Sequence, residues 1–291
     1  MKIIKNTVEQ AAPDAAKPLV MHHRLIYGVG PNKRLVPVGT GLLLGVGAHR
    51  FLITAAHVLD ANEAGETDYC DLATYGQGET VVLNGESFRT AVPKGKTRFA
   101  DRLDIGFLRL DDASAKQIGE DRFLSPANCD LDDTGRKHGL YGALGYPACL
   151  NHDVEPDCAT PTIPSPFVYT TVLHPAEAYR KYGASQNTHL LLNVSQRKTR
   201  AAGGRKVKLP DFHGMSGGGL WRLIQAPAKS LAVGAPSLLG VVIEWHRGQD
   251  GGLLAARMSL VFEALRKVYP DLDPLLPKSG LADIDVDIEP S

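Results

Sequence analysis

The feature that most constrains this chain is a succession of short apolar runs cut by turn residues. They are 35–47 (LVPVGTGLLLGVG), 50–56, 80–85, 104–110 and 140–147, then 166–173, 188–195, 218–224, 238–245 and 252–258. Most are too short for a packed helix, they are rich in Val, Ile, Leu, Thr and Tyr, and Gly or Pro bounds most of them. Thirty Gly and 19 Pro in 291 residues supply the punctuation. Many short strands with turn signals between them predict an all-β barrel or sandwich architecture. The length suffices for one large or two small cores, and no repeat of fixed period is present.

Several segments break the pattern. Residues 1–17 read as a polar arm without the apolar stretch of a secretory signal. Residues 111–135 are polar and read as a link between two halves, and 149–165, rich in Pro and acid, as a loop. In 259–268, Leu260, Ala264, Leu265 and Val268 share a helical face, with Ser259 placed to cap it. Beyond Pro270 the chain is acidic. Its end, LADIDVDIEPS, alternates Ile284, Val286 and Ile288 with Asp283, Asp285 and Asp287. That end admits two readings, a disordered tail or a strand added to a sheet edge of this chain or a partner. The basic stretch Gln196–Lys208 reads as a solvated loop; a cleft gate, a self-cleavage site and a contact for an acidic regulatory partner are the sharper readings.

Charge and apolar content exclude some classes. The 32 basic and 32 acidic residues leave no net field toward nucleic acid or an anionic membrane. No apolar run reaches the length of a membrane span, so a cytoplasmic protein is expected. Cys70, Cys129, Cys149 and Cys158 are then expected as reduced thiols, with Cys149 and Cys158, which bracket a short loop, the pair that could bridge if oxidised. A zinc site at Cys149, His152 and Cys158 lacks regular spacing and a fourth ligand, so neither metal nor cofactor is expected.

Three motifs carry chemistry. Ser216 sits in His213-Gly214-Met215-Ser216-Gly217-Gly218. A nucleophilic hydroxyl needs an exposed turn and backbone N–H groups beside it, which glycines on either side permit. Read alone, the segment is equally a Gly-rich turn. His57 follows the apolar run 50–56, where a general base could be held at the end of a strand; alone, it is a core histidine. Asp104 opens Asp104-Ile105-Gly106-Phe107-Leu108, where an acid could enter a half-buried site and orient a histidine. Asp101 is its neighbouring rival.

Together, in the order His, Asp, Ser, these motifs resemble those of the trypsin-like (chymotrypsin-fold) serine peptidases, nearest the bacterial members that have no zymogen. The resemblance rests on GTGLLL (39–44), TAAHVL (54–59), DIGFLRL (104–110), GYP (145–147), GMSGGGLW (214–221) and GVVIEW (240–245), and spans 18–268. It implies two six-stranded antiparallel β-barrels, 18–125 and 126–268, with the site in the cleft between them. A C-terminal helix closes the second barrel; residues 1–17 and 269–291 lie outside as arm and acidic tail. By resemblance, His57 is the base, Asp104 the orienting acid, Ser216 the nucleophile, and the Gly214 and Ser216 N–H groups the oxyanion hole. Pro210, Asp211 and His213 match one wall of the specificity pocket; Ile243, Glu244, Trp245 and His246 match the other, which also pairs with the substrate backbone. Val58 replaces the disulfide-bonded Cys that follows the base in secreted members. Met215 replaces the acid that receives a freed N-terminus, so activity without N-terminal processing is expected. The expected function is a serine endopeptidase acting on a protein or peptide. The alternatives are a catalytically silent peptide-binding module and an esterase or other acyl hydrolase.

Overall fold

The apolar runs become strands. The computed structural model describes residues 14–30, 32–62, 69–132, 139–154, 163–194, 208–225, 235–248, 251–280 and 285–291. The first half holds β1 (His23–Val29), β2 (Leu35–Val46), β3 (His49–Ala55), β4 (Asp71–Gly76), β5 (Glu79–Val82), β6 (Gly85–Thr90) and β7 (Ile105–Leu110). The second holds β8 (Gly139–Gly145), β9 (Phe167–Thr171), β10 (His189–Val194), β11 (Gly219–Gln225), β12 (Ser237–His246) and β13 (Gly251–Arg257). Last comes β14 (Ile288–Pro290).

All strands pair antiparallel, in two sheets of order β14-β6-β7-β3-β2-β1-β4-β5 and β10-β13-β12-β11-β8-β9. The second sheet closes on itself. Residues 172–174 continue β9 and meet β10, with Asn193 N donating to Val172 O at 3.0 Å and His174 N to Leu191 O at 2.8 Å. The all-β class of two antiparallel units is therefore as expected. The first sheet has eight strands instead of six, because β5 extends one edge and β14 covers the other. The acidic tail thus ends inside the first unit.

In the second sheet, β10 and β13 above all read as continuous apolar runs because both of their faces are buried. Along β13, Leu253 and Ala255 enter the interior of the closed sheet, while Leu254 and Ala256 join the main core on the other side. β10 divides likewise: Leu190, Leu192 and Val194 face inward, Leu191 outward. This is the period-2 geometry of a strand between two apolar layers. In the first sheet, Phe51 and Phe107 are fully buried and contact edge to face. Such burial contributes roughly 1.5–3 kcal/mol per side chain.

The predicted helix is observed as Met258–Val268, burying Leu260, Val261, Ala264 and Leu265. Its N-cap is Arg257, in extended conformation, and Ser259 lies inside the first turn, so the expected Ser259 cap is not used. The polar link contains a short helix, Asp112–Ile118, capped by the Asp111 carboxylate, which accepts from Ser114 N at 2.7 Å. No described helix is long and apolar enough to cross a membrane. Cys70, Cys129 and Cys149 are free thiols. Cys158 and nearly all of the basic stretch 196–208 lie outside the described residues.

Candidate active site

β3 ends at Ala55, and a single helical turn, Ala56–Leu59, carries His57. β7 lies beside β3, with Ala55 opposite Ile105, so Asp104 stands next to that turn. Asp104 has φ +47°, the left-handed region that Asp tolerates better than most residues. The kink lets its backbone carbonyl accept from Ala56 N at 2.9 Å while its carboxylate reaches the histidine. Oδ1 accepts from His57 N at 3.0 Å, and Oδ2 lies 2.6 Å from Nδ1. The Nδ1 proton is thereby committed to Asp104, which leaves Nε2 as the available base. Asp101, the rival acid, does not touch His57. Its carboxylate takes Leu103 N at 3.0 Å and Arg98 at 3.1 Å.

The pair is electrostatically coupled. Burial opposes charge on His57, but the hydrogen bond and negative charge of Asp104 outweigh it and hold the imidazole above its ordinary 6.5. Burial pushes the Asp104 carboxyl above its ordinary 3.8 despite the bonds from His57. The side chain of His57 remains 41% exposed, and that of Asp104 only 12%.

Ser216 enters from the other sheet. The loop before β11 is fastened to the first unit through Thr40 of β2. Thr40 N donates to Ser216 O at 2.8 Å and Thr40 Oγ1 to Gly214 O at 2.8 Å, while Tyr146 N donates to that same hydroxyl at 2.9 Å. Thr54 Oγ1 in turn donates to Thr40 O at 2.7 Å. Gly217 has φ +87°, and a Cβ there would run into the Thr40 carbonyl. The GTG at 39–41 is therefore the seat of the Ser216 loop, a role the sequence reading did not assign to Thr40. Its only signal was a threonine between glycines ahead of a leucine run.

The backbone of this loop is selectively satisfied. Met215 N donates to Phe212 O at 3.0 Å, Gly217 N to Val242 O at 2.7 Å and Gly218 N to Met215 O at 2.9 Å. The N–H groups of Gly214 and Ser216 have no acceptor among the described residues, an arrangement that suits an incoming oxyanion. Gly214, at φ +90°, leaves no room for a side chain, since a Cβ would lie 2.8 Å from Ala148 N. Met215 is fully buried in the interior of the second sheet.

His57, Asp104 and Ser216 line one cleft of about 570 Å³. Ser216 Oγ donates to Ile243 O at 3.5 Å, a long and therefore weak bond. Asp211, His213, Ile243, Glu244 and Trp245 line the same cleft, whereas Pro210 and His246 are not among its lining residues. Asp211 is not a free floor acid, because Arg247 pairs with it at 2.6 Å and His213 N donates to it at 3.0 Å. Arg247 also lies over the Trp245 ring at 4.7 Å, and Trp245 meets Phe212 edge-on at 5.0 Å. Glu244 lies 3.3 Å from His246, which with burial opposing holds its carboxyl below the usual range. The reading by sequence did not find Arg98, Phe99, Arg102, Tyr182 or Arg247, which also line the cleft. They stand in short 3-10 turns (Arg98–Ala100 and Arg180–Tyr182) or in loops, with no motif around them, and Phe99 is 97% exposed.

No protein-family model matches this chain, and no curated protein matches its sequence. Solved structures do. One is a thermostable serine protease, AL20, from an extremophilic microorganism, at 12% identity and TM-score 0.45, covering 84% of this chain and 92% of the other. Another is the protease Anisep from Arthrobacter nicotinovorans, at 10% identity and TM-score 0.47, covering 85% and 94%.

Proposed function

We propose that this protein is a serine endopeptidase that cleaves peptide bonds through an acyl-enzyme on Ser216. One observation carries the reading. A histidine with Nδ1 committed to a buried carboxylate shares a cleft with a serine whose own N–H, and that of Gly214, are unused. In this reading Ser216 Oγ attacks the carbonyl carbon and its proton passes to His57 Nε2. The oxygen, now negative, is held by the two N–H groups. His57 then returns the proton to the leaving amine, and a water repeats the sequence to release the acid. Asp104 holds the tautomer and stabilises the imidazolium. Binding alone has no use for this set, which argues against a silent module.

Met215 supports activity without N-terminal processing. Burying an ammonium requires an anionic partner, and a thioether cannot be one. Burial of Met215 holds the loop instead.

The test is a fluorophosphonate probe read by mass spectrometry. Wild type should be labelled at Ser216, and Ser216→Ala should lose both labelling and peptide turnover. His57→Ala should lose roughly 10⁴-fold or more in kcat/KM, since such groups act as a unit. Full activity in Ser216→Ala would end the proposal. Labelling with ester but no peptide turnover would move it to an acyl hydrolase.

A further inference from the structure

We propose that the C-terminal strand braces the catalytic pair, with Glu289 as the positioning residue; this rests on the reading of His57, Asp104 and Ser216 given above. β14 pairs with the β6 edge, setting Ile288 opposite Thr90 and Glu289 opposite Arg89. Ala91 N donates to Asp287 O at 2.9 Å and Ser291 N to Ser87 O at 3.0 Å, so the strand is bonded along its length. Val286 is buried in the core, and Lys267 of the C-terminal helix takes Asp285 at 3.0 Å.

The covered residues lead to the site by two routes. Thr90 Oγ1 accepts from Ile105 N at 3.0 Å and donates to Asp101, and Thr90 O accepts from Arg98. Ile105 and Asp101 flank Asp104 on its two sides. Arg98 also takes Asp60 at 2.7 Å, and Arg89 takes Asp60 at 2.6 Å. Asp60 directly follows the turn that carries His57. The cluster therefore ties the His57 turn to the Asp104 loop, with Asp60, Arg98 and Asp101 in the cleft wall and Arg89 and Glu289 outside it.

Glu289 completes this cluster. Its Oε1 lies 3.3 Å from Arg89 and 3.5 Å from Arg98, touching both guanidiniums that converge on Asp60. Those arginine side chains are only 13% and 14% exposed, so loss of an anion is poorly compensated by water. Without Glu289, Arg98 has reason to shift, and with it Asp60 and Asp101. Glu289 reaches neither substrate nor reacting atoms. It acts through the two arginines.

The test uses the full chain as wild type, Glu289→Gln and Glu289→Asp. Two readouts are taken: the labelling rate of Ser216 by a simple alkyl fluorophosphonate, and the low-field NMR signal of the His57 Nδ1 proton across pH. The charged groups facing His57 are Asp104, Asp60, Arg98 and Glu244. Glu289→Gln leaves Arg98 less neutralised, so the midpoint of the His57 titration should fall. Labelling should slow roughly 10-fold, as expected for a sub-ångström misplacement, and Glu289→Asp should restore most of it. Wild-type labelling and an unmoved midpoint in Glu289→Gln would overturn the brace. So would equal losses in both variants with the midpoint unmoved, because that pattern marks a merely structural strand. If wild type is not labelled but the midpoint still moves in Glu289→Gln, the peptidase reading fails and the brace stands.

Discussion

His23 makes acid stability a sharp test of how the two sheets are joined. It is wholly buried. Nδ1 donates to Leu19 O at 2.9 Å, and Nε2 accepts from Gly219 N at 3.2 Å and Trp221 Nε1 at 3.4 Å. Every ring nitrogen is used by the neutral form, and a proton on Nε2 would face two N–H donors. Burial, only partly offset by the bond to Leu19, depresses its pKa from 6.5 to about 3. An unfolded chain takes up this proton near pH 6.5, while the folded chain resists until about pH 3. Between those values the unfolded state holds more protons, so stability rises with pH. The contribution is complete above 6.5. On acidification it is lost at about 1.4 kcal/mol per pH unit, approaching roughly 4–5 kcal/mol near pH 3. The assay is urea denaturation at pH 7, 6, 5 and 4 for wild type and His23→Gln. The variant should lose roughly 1–3 kcal/mol at pH 7, from imperfect replacement of the three bonds. It should then lose less with acid than wild type, by one proton's worth of slope. Parallel slopes would refute the reasoning, since carboxylates common to both proteins would then explain all the acid sensitivity. The Gly219 bond lies three residues beyond Ser216, so probe labelling should fail together with stability.

Other outcomes follow from the site. If neutral His57 is the base, kcat/KM should rise with pH through a midpoint above 6.5, because Asp104 stabilises the protonated form; a profile flat from pH 5 to 9, with chemistry limiting, would exclude His57. Gly217→Ala forces a side chain into the Thr40 carbonyl at φ +87°. It should cost roughly 1–3 kcal/mol or more in thermal or denaturant unfolding and abolish labelling, and a stable, labelled variant would contradict the Thr40 seat. With Asp211 held by Arg247 and Trp245 packed on Phe212, a peptide-library profile should favour small or apolar residues before the cleaved bond. Strong selection of Lys or Arg there would mean Asp211 is released to the pocket floor.

Part of this was legible in the chain itself. Ten apolar runs predicted ten strands, and each is found within a few residues of its expected bounds, because burial on one or both faces imprints directly on composition. β1, β4, β6 and β14 were not marked out. β6 (GESFRT) is mostly polar and gains its place from partners on either side, not from its own composition. The tail could be disorder or added strand. Its alternation was visible, but the edge that receives it lies some 200 positions away in the sequence.

Local chemistry was therefore readable wherever a residue's role depends on its immediate neighbours. The glycines around Ser216, the apolar run ahead of His57 and the strand behind Asp104 are such cases. What only the tertiary structure decided depends on chain segments far apart in sequence. Asp104 and not Asp101 meets His57, because β7 docks beside β3 and Asp104 turns through a left-handed φ. Thr40 seats the Ser216 loop across 174 positions. Asp211 is spent on Arg247. Hydrogen bonds and ion pairs of this kind are short-ranged in space and carry no periodicity along the chain, so composition and spacing leave no trace of them.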